Sequence, residues 1–315
     1  VFATRIAQGQ LQATVLDYGL RLVDLRFCDS VGRQQPLVLG GWPIEVYERD
    51  SAYHGAVVGR TCNRIRHGDL QLNGCNYQLD QNEGPHHLHG GESGLHNRIW
   101  DVNAKTEGLH ATTDFSDGEA GYPGNVAVAV SISIYDDALR YEYRAESDAD
   151  TLLDMTNHAY FCLDNSGSIL DHELSVPADK VALIDEALLP TGQFLTVQDT
   201  PFDFRQPRTI GENLTLKSAQ TALAGGFDHS WAFAEAHDLR ARLYSKQSQV
   251  ELTVSSSSPA LQVYTGNHLP AKYGAVCLET QHLPDACHHE GFVTPVLRAG
   301  EPYYAYSNYQ IRYLL

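Results

Sequence analysis

Val126-Ala127-Val128-Ala129-Val130-Ser131-Ile132-Ser133-Ile134-Tyr135 puts a large aliphatic side chain at every second position. Successive side chains of an extended chain point to opposite faces, so this period reads as a strand with one face buried. Beyond Asp136-Asp137, the run Leu139 to Ala145 repeats the alternation, and the two runs form a pair about that turn. The same rhythm governs Leu11 to Tyr18 and Leu20 to Phe27. Leu70-Gln71-Leu72 and Tyr77-Gln78-Leu79 flank Asn73-Gly74, a hairpin signal because both turn residues tolerate positive φ. Further strands are expected at 241–245, 249–254, 260–265, 275–280 and 302–313. Helical patterning is confined to Ile44 to Glu48 and Leu216 to Leu223. Many strands with polar turns and no βαβ alternation predict an all-β chain, an antiparallel sandwich or barrel. No linker, fixed-period repeat or shift in composition divides it, and Ser255 to Ser258 ends in Pro259 as a turn would. One all-β domain over residues 1–315 is expected.

Composition narrows the partners. The formal charge is −17, with 22 Lys and Arg against 39 Asp and Glu, so a phosphate backbone or anionic membrane would be repelled. Neither nucleic acid nor membrane is an expected partner, and a neutral solute suits the charge better. No apolar run approaches the roughly 20 residues that span a bilayer. Val1 to Gln10 is mixed and polar, unlike a leader peptide, and a start at Val rather than Met leaves room for residues ahead of it. Six cysteines are scattered without a C-x-x-C, which suits reduced thiols and a cytoplasmic protein.

Four segments carry polar groups where a sandwich strand would carry an apolar face. Gly59-Arg60-Thr61-Cys62-Asn63-Arg64-Ile65 is the first. Its arginines serve equally as surface charge. Pro85-His86-His87-Leu88-His89-Gly90-Gly91 groups three imidazoles, the side chain that titrates nearest neutral pH. Their spacing matches neither the helical H-E-x-x-H pattern nor a finger-type zinc site, so satisfied or surface histidines are the plainer reading. Met155-Thr156-Asn157-His158-Ala159-Tyr160-Phe161 sets an imidazole in an apolar stretch, where it needs a hydrogen-bond partner. Val276-Cys277-Leu278-Glu279-Thr280-Gln281 does the same with a carboxylate, which burial would bring toward the range of a general base. Asp228, after Gly225-Gly226-Phe227, is placed either to accept two hydrogen bonds from vicinal hydroxyls or to end an ordinary turn.

Taken together and in order, these segments resemble the aldose 1-epimerase, or galactose mutarotase, family. The resemblance rests on Asn63-Arg64-Ile65, Leu88-His89-Gly90-Gly91, Gly121-Tyr122-Pro123-Gly124 and Thr156-Asn157-His158-Ala159-Tyr160-Phe161. It continues through Gly226-Phe227-Asp228-His229, Leu261 to Asn267 and Leu278-Glu279-Thr280-Gln281, and spans roughly Leu16 to Tyr309. It implies a large antiparallel β-sandwich of the galactose mutarotase-like supersandwich type with few short helices. It also implies interconversion of the α and β anomers of a free aldohexose, with no metal and no organic cofactor. By similarity Glu279 matches the general base and His158 the general acid. Asn63, Arg64, His89, Asp228 and Gln262 match sugar-binding positions, and Tyr160 lies against the sugar. A monomer or homodimer is expected.

Departures from the family pattern are Ala159, Cys162, His87, His96 and His268. None replaces a proton-transfer residue, and the three histidines bear on sugar preference. Four alternatives stand beside this reading: a hexose-6-phosphate 1-epimerase, a non-catalytic sugar binder, a glycosidase with two carboxylates, and a zinc enzyme on His86, His87 and His89. The first needs a cluster of Arg or Lys that the sequence does not supply. The second would be free to lose His158 or Glu279, and both are present. Glu paired with His, rather than two carboxylates, counts against the third.

Overall fold

A computed structural model describes residues 1–28, 32–234 and 238–314. Three large antiparallel sheets carry the fold, with helix limited to short segments. Nine strands form the largest sheet, in the order Asp101–Ala104, Gly108–Phe115, Val126–Tyr135, Ala138–Ser147, Tyr303–Tyr313, Val250–Ser256, Leu239–Ser245, Glu173–Ser175 and Arg208–Thr209. A six-stranded sheet runs Tyr160–Phe161, Val276–Gln281, Ala260–Tyr264, Asp228–Ala232, Lys180–Ile184 and Pro190–Thr196. Four strands near the N-terminus, Ala3–Gln8, Leu11–Leu16, Leu22–Cys28 and Gln34–Pro36, form the third.

The alternating runs became strands because each has one face to bury. Along Val126–Tyr135 every aliphatic position is buried and the residues between are not. Its hairpin pairs Tyr135 with Ala138, leaving Asp136 and Asp137 in the turn at φ 48° and 57°. Two successive positive φ values give the turn twist that matches paired strands. Asn73 (φ 51°) and Gly74 (φ 78°) do the same between Asp69–Leu72 and Cys75–Gln78.

The two larger sheets face one another. Phe161 of the six-stranded sheet packs on Tyr309 of the nine-stranded sheet with ring centroids 5.2 Å apart. Thr280 and Ser307 share a 2.6 Å hydroxyl contact across the same interface. One buried apolar cluster draws on all three large sheets, through residues such as Leu11, Val130, Tyr141, Trp231 and Val263. No helix among the described residues is long and apolar enough to cross a membrane.

The helix expected over Leu216 to Leu223 is corrected. A short helix, Ile210–Thr215, ends at Leu216, and a second, Ala219–Ala224, begins only after Ser218. Ser218 is extended, and its hydroxyl accepts the Gln220 backbone N–H at 3.2 Å, so it starts a helix rather than continuing one. The short helix near Ile44 spans Ile44–Tyr47.

Candidate active site

The register of the six-stranded sheet builds one wall of a cleft. All six side chains of Val276–Gln281 are buried. Thr280 turns toward the nine-stranded sheet, so by alternation Cys277 and Glu279 turn to the opposite face. Strand pairing then lays out two rows across that face. Glu279 stands opposite Gln262, which stands opposite Ser230, while Cys277 stands opposite Tyr264, which stands opposite Asp228. The facing wall comes from residues far earlier in the chain, the coil around Ala52 and Tyr53 and the paired strands Arg64–Ile65 and His87–Leu88. The cleft between the walls holds about 260 Å³ and is lined by Asn63, Arg64, His89, His158, Tyr160, Asp228 and Glu279, among others. That is small beside the roughly 300–1,000 Å³ of pockets for drug-sized ligands.

At its floor His158 Nε2 lies 3.7 Å from Glu279 Oε1, and both side chains are buried. The short pairing of Thr156–Asn157 with Val57–Val58 fixes the histidine: the His158 N–H donates to Ala56 O at 2.8 Å and Asn157 Nδ2 to Gly55 O at 2.7 Å. Burial holds the His158 imidazole down at about 3. Burial, reinforced by the Asp228 charge and opposed by the Arg64 guanidinium, pushes Glu279 well above the usual carboxylate range. Glu279 Oε2 has no protein hydrogen-bond partner. A buried carboxyl oxygen left without a donor is costly unless something entering the cleft supplies one.

The remaining lining groups are held by one another. Arg64 reaches Glu83 at 2.9 Å and Asp228 at 3.9 Å. His89 and Asn63, both at positive φ (51° and 63°), exchange backbone and ring contacts. The His89 N–H donates to Asn63 O, and the Asn63 N–H donates to His89 Nδ1, each at 3.1 Å. With Nδ1 accepting, the neutral ring carries its proton on Nε2 and is a donor there. His89, His158 and Glu279 bring one ligand atom each within 4.8 Å of one another. A cation would need the His89 Nε2 lone pair, forcing a proton onto Nδ1 against the Asn63 N–H. The donor set does not fit a metal.

Gln262 does not line the cleft. It lies buried behind Asp228, donating from Nε2 to Asp228 Oδ1 at 2.5 Å while its Oε1 accepts the Ser230 hydroxyl. Each end of the amide makes one of these bonds, which ties the side chain to Asp228. The histidine cluster also separates. His87 Nδ1 donates to Asp80 O at 2.7 Å and its Nε2 meets the Tyr122 hydroxyl at 2.7 Å, while His86 Nδ1 accepts the His67 N–H. The three rings share no centre, which removes the zinc reading of this segment. His268 lines the cleft, whereas His96 stacks edge-on behind Tyr53 at 4.8 Å.

Tyr53, Glu83 and Tyr264 line the cleft without having been singled out in the sequence. Tyr53 and Glu83 lie in coil, where no periodicity marks them. Tyr264 sits in the apolar run of a strand, and only its register against Cys277 and Asp228 reveals its side.

Gly90 serves a close approach rather than the cleft. At φ +90°, a Cβ built on it would lie 2.0 Å from Gly59 O. Gly90→Ala is expected to lose at least about 2 kcal/mol by urea denaturation, because backbone must move on both sides. Wild-type stability would refute the close packing.

Comparison with known proteins extends the picture. The family model described as aldose 1-epimerase matches residues 3–310. The chain is 36% identical over 314 residues to the galactose mutarotase of Bos taurus, covering 95% of this chain and 90% of that one. It is 31% identical to the aldose 1-epimerase of Escherichia coli K12, covering 94% and 91%. The solved structure of an aldose epimerase homologue from C. elegans superposes with a TM-score of 0.92 at 31% identity, covering 100% of this chain and 99% of that one.

Proposed function

Because the chain belongs to the aldose 1-epimerase family, it interconverts the α and β anomers of aldoses, and we propose that Glu279 is the base and His158 the acid of that reaction. The observation that carries this reading is the buried carboxyl and imidazole 3.7 Å apart at the floor of a cleft sized for one sugar ring.

Ring opening removes the proton of the C1 hydroxyl while a proton reaches the ring oxygen. A carboxylate and an imidazolium beside the C1–O5 bond perform both transfers. Rotation about C1–C2 in the open aldehyde, followed by the reverse transfers, closes either anomer. No nucleophile is required.

In the empty cleft the shifts favour a protonated Glu279 and a neutral His158. The carboxylate and imidazolium pair contains the same number of protons. Sugar hydroxyls donating to Glu279 lower its pKa and favour that ionic form, which ties the active protonation state to an occupied cleft. Arg64, His89, Asn63 and Asp228 hold the hydroxyls so that both transfers are aligned. Tyr160, whose hydroxyl is anchored on Ala52 O at 2.9 Å, presents its ring face beside His158.

The substrate class we propose is a free aldohexose rather than its 6-phosphate. Arg64 is the one Arg or Lys among the described lining residues, and it already faces Glu83 and Asp228, with Glu279 beyond. A dianionic phosphate would meet net repulsion there. In polarimetry, freshly dissolved α-D-glucose and α-D-galactose are expected to equilibrate faster with the protein. The kcat/KM for glucose 6-phosphate should be lower than for glucose by about 10²-fold or more. Equal turnover of the two would overturn the substrate class, and no acceleration of either free sugar would overturn the activity.

A further inference from the structure

The floor of the cleft holds a third polar group that the proton transfers do not use. Cys277 Sγ lies 3.5 Å from His158 Nδ1, the ring nitrogen remote from Glu279, and Cys277 is fully buried. Its placement follows from the strand: Cys277 is two residues before Glu279, so both side chains leave the same face and bracket the imidazole from its two nitrogens. From this geometry we infer that Cys277 is a positioning residue whose sulfur accepts the Nδ1–H of His158, which leaves Nε2, toward Glu279 and the cleft, as the nitrogen that takes up and gives the proton. The inference rests on His158 being the proton donor proposed above.

Other groups around the ring do not compete for Nδ1. Tyr160, paired directly across from Cys277, has its hydroxyl committed to Ala52 O. Tyr53, His89 and Tyr264 meet His158 through ring contacts at 5.9, 5.4 and 6.5 Å between centroids. Burial and the Glu279 charge push the thiol well up, so it stays an uncharged thiol.

A thiol suits this position because its sulfur is a weak acceptor. When His158 is neutral, its Nδ1–H donates to the sulfur and Nε2 is open to the proton from Glu279. Once His158 is imidazolium, the gained proton sits on Nε2, ready for the ring oxygen, and the sulfur still accepts from Nδ1. The ring therefore keeps one orientation through both halves of the reaction. A carboxylate in the same place would hold the imidazolium too firmly. That outcome is visible elsewhere in the molecule, where Asp285 at 2.6 Å from His288 Nδ1 pushes that imidazole up to about 10.

The test combines rates with a direct reading of the ring. Long-range ¹H–¹⁵N correlation of the wild type should show neutral His158 with its proton on Nδ1. Cys277→Ala should mix the two tautomers and lower kcat about tenfold, the scale on which partners of a functional imidazole act, with KM within about twofold. Cys277→Ser, which keeps an acceptor, should restore most of kcat and the Nδ1 tautomer. A neutral wild-type ring with its proton on Nε2 would overturn the inference, as would Cys277→Ala with unchanged kcat and tautomer. Equal losses in the Ala and Ser variants would also overturn it, since only packing would then matter. Should Cys277→Ala fail to fold, the wild-type and Ser tautomers still decide. If His158→Asn retains full rate the acid assignment fails, whereas the tautomer reading tests the sulfur contact regardless.

Discussion

Glu279→Gln and His158→Asn are each expected to lower kcat for mutarotation by roughly 10²–10⁴-fold, the range of one positioned proton transfer. Both substitutions keep the shape and most of the polarity of the side chain, so the loss reads on chemistry rather than on packing. Glutamine cannot take the C1 hydroxyl proton, and asparagine cannot give one to the ring oxygen. The double variant should fall well short of the product of the single losses, because two groups that act in one step are not additive. Polarimetry of freshly dissolved α-D-galactose gives the rates above background, and thermal unfolding checks that the variants are folded. A rate within twofold of wild type in either single variant would refute that residue's role.

Arg64→Ala and Asp228→Asn should move the alkaline limb of the pH profile in opposite directions. The active pair holds one proton between Glu279 and His158, so kcat/KM falls as pH rises through the pKa of Glu279 in the free protein, where that proton is lost. Arg64 lowers that pKa and Asp228 raises it. Removing the guanidinium therefore carries the limb to higher pH, and neutralising Asp228 carries it to lower pH. Both variants also lose a charged hydrogen-bonding group, worth about 1.5–3 kcal/mol, so kcat/KM should fall roughly 10- to 100-fold at its optimum. Arg64→Ala loses more than its own contacts, because Glu83 and Asp228 then face each other without the cation between them. Profiles measured at constant ionic strength decide the matter, and limbs moving in the same direction would sink the electrostatic account of the cleft.

The strands were readable wherever burial was one-sided. Val126–Tyr135, Val250–Ser256 and Tyr303–Tyr313 alternate because one face meets core and the other does not. Lys180–Ile184, Pro190–Thr196 and Asp228–Ala232 escaped notice, since mixed burial leaves no period of two. Among candidate site residues, family resemblance marked His158, Glu279, Arg64, His89, Asn63, Tyr160 and Asp228, and the fold lines one cleft with all seven. It also marked Gln262, whose amide bonds to Ser230 and Asp228. Exposure depends on what stands in front of a side chain, and a strand's own sequence does not record that.

By itself the sequence determined the fold class, the hairpins at Asn73-Gly74 and Asp136-Asp137, the family and the chemical types available to the site. These follow from local terms: alternation, turn conformers and residue identity. Only the tertiary structure decided that His86 and His87 serve the scaffold while His89 faces the cleft, and that Cys277 meets the far nitrogen of His158. Those outcomes depend on strand register and on backbone meeting backbone across more than a hundred residues. Such long-range pairings give each imidazole its partners, and the partners set which nitrogen carries the proton.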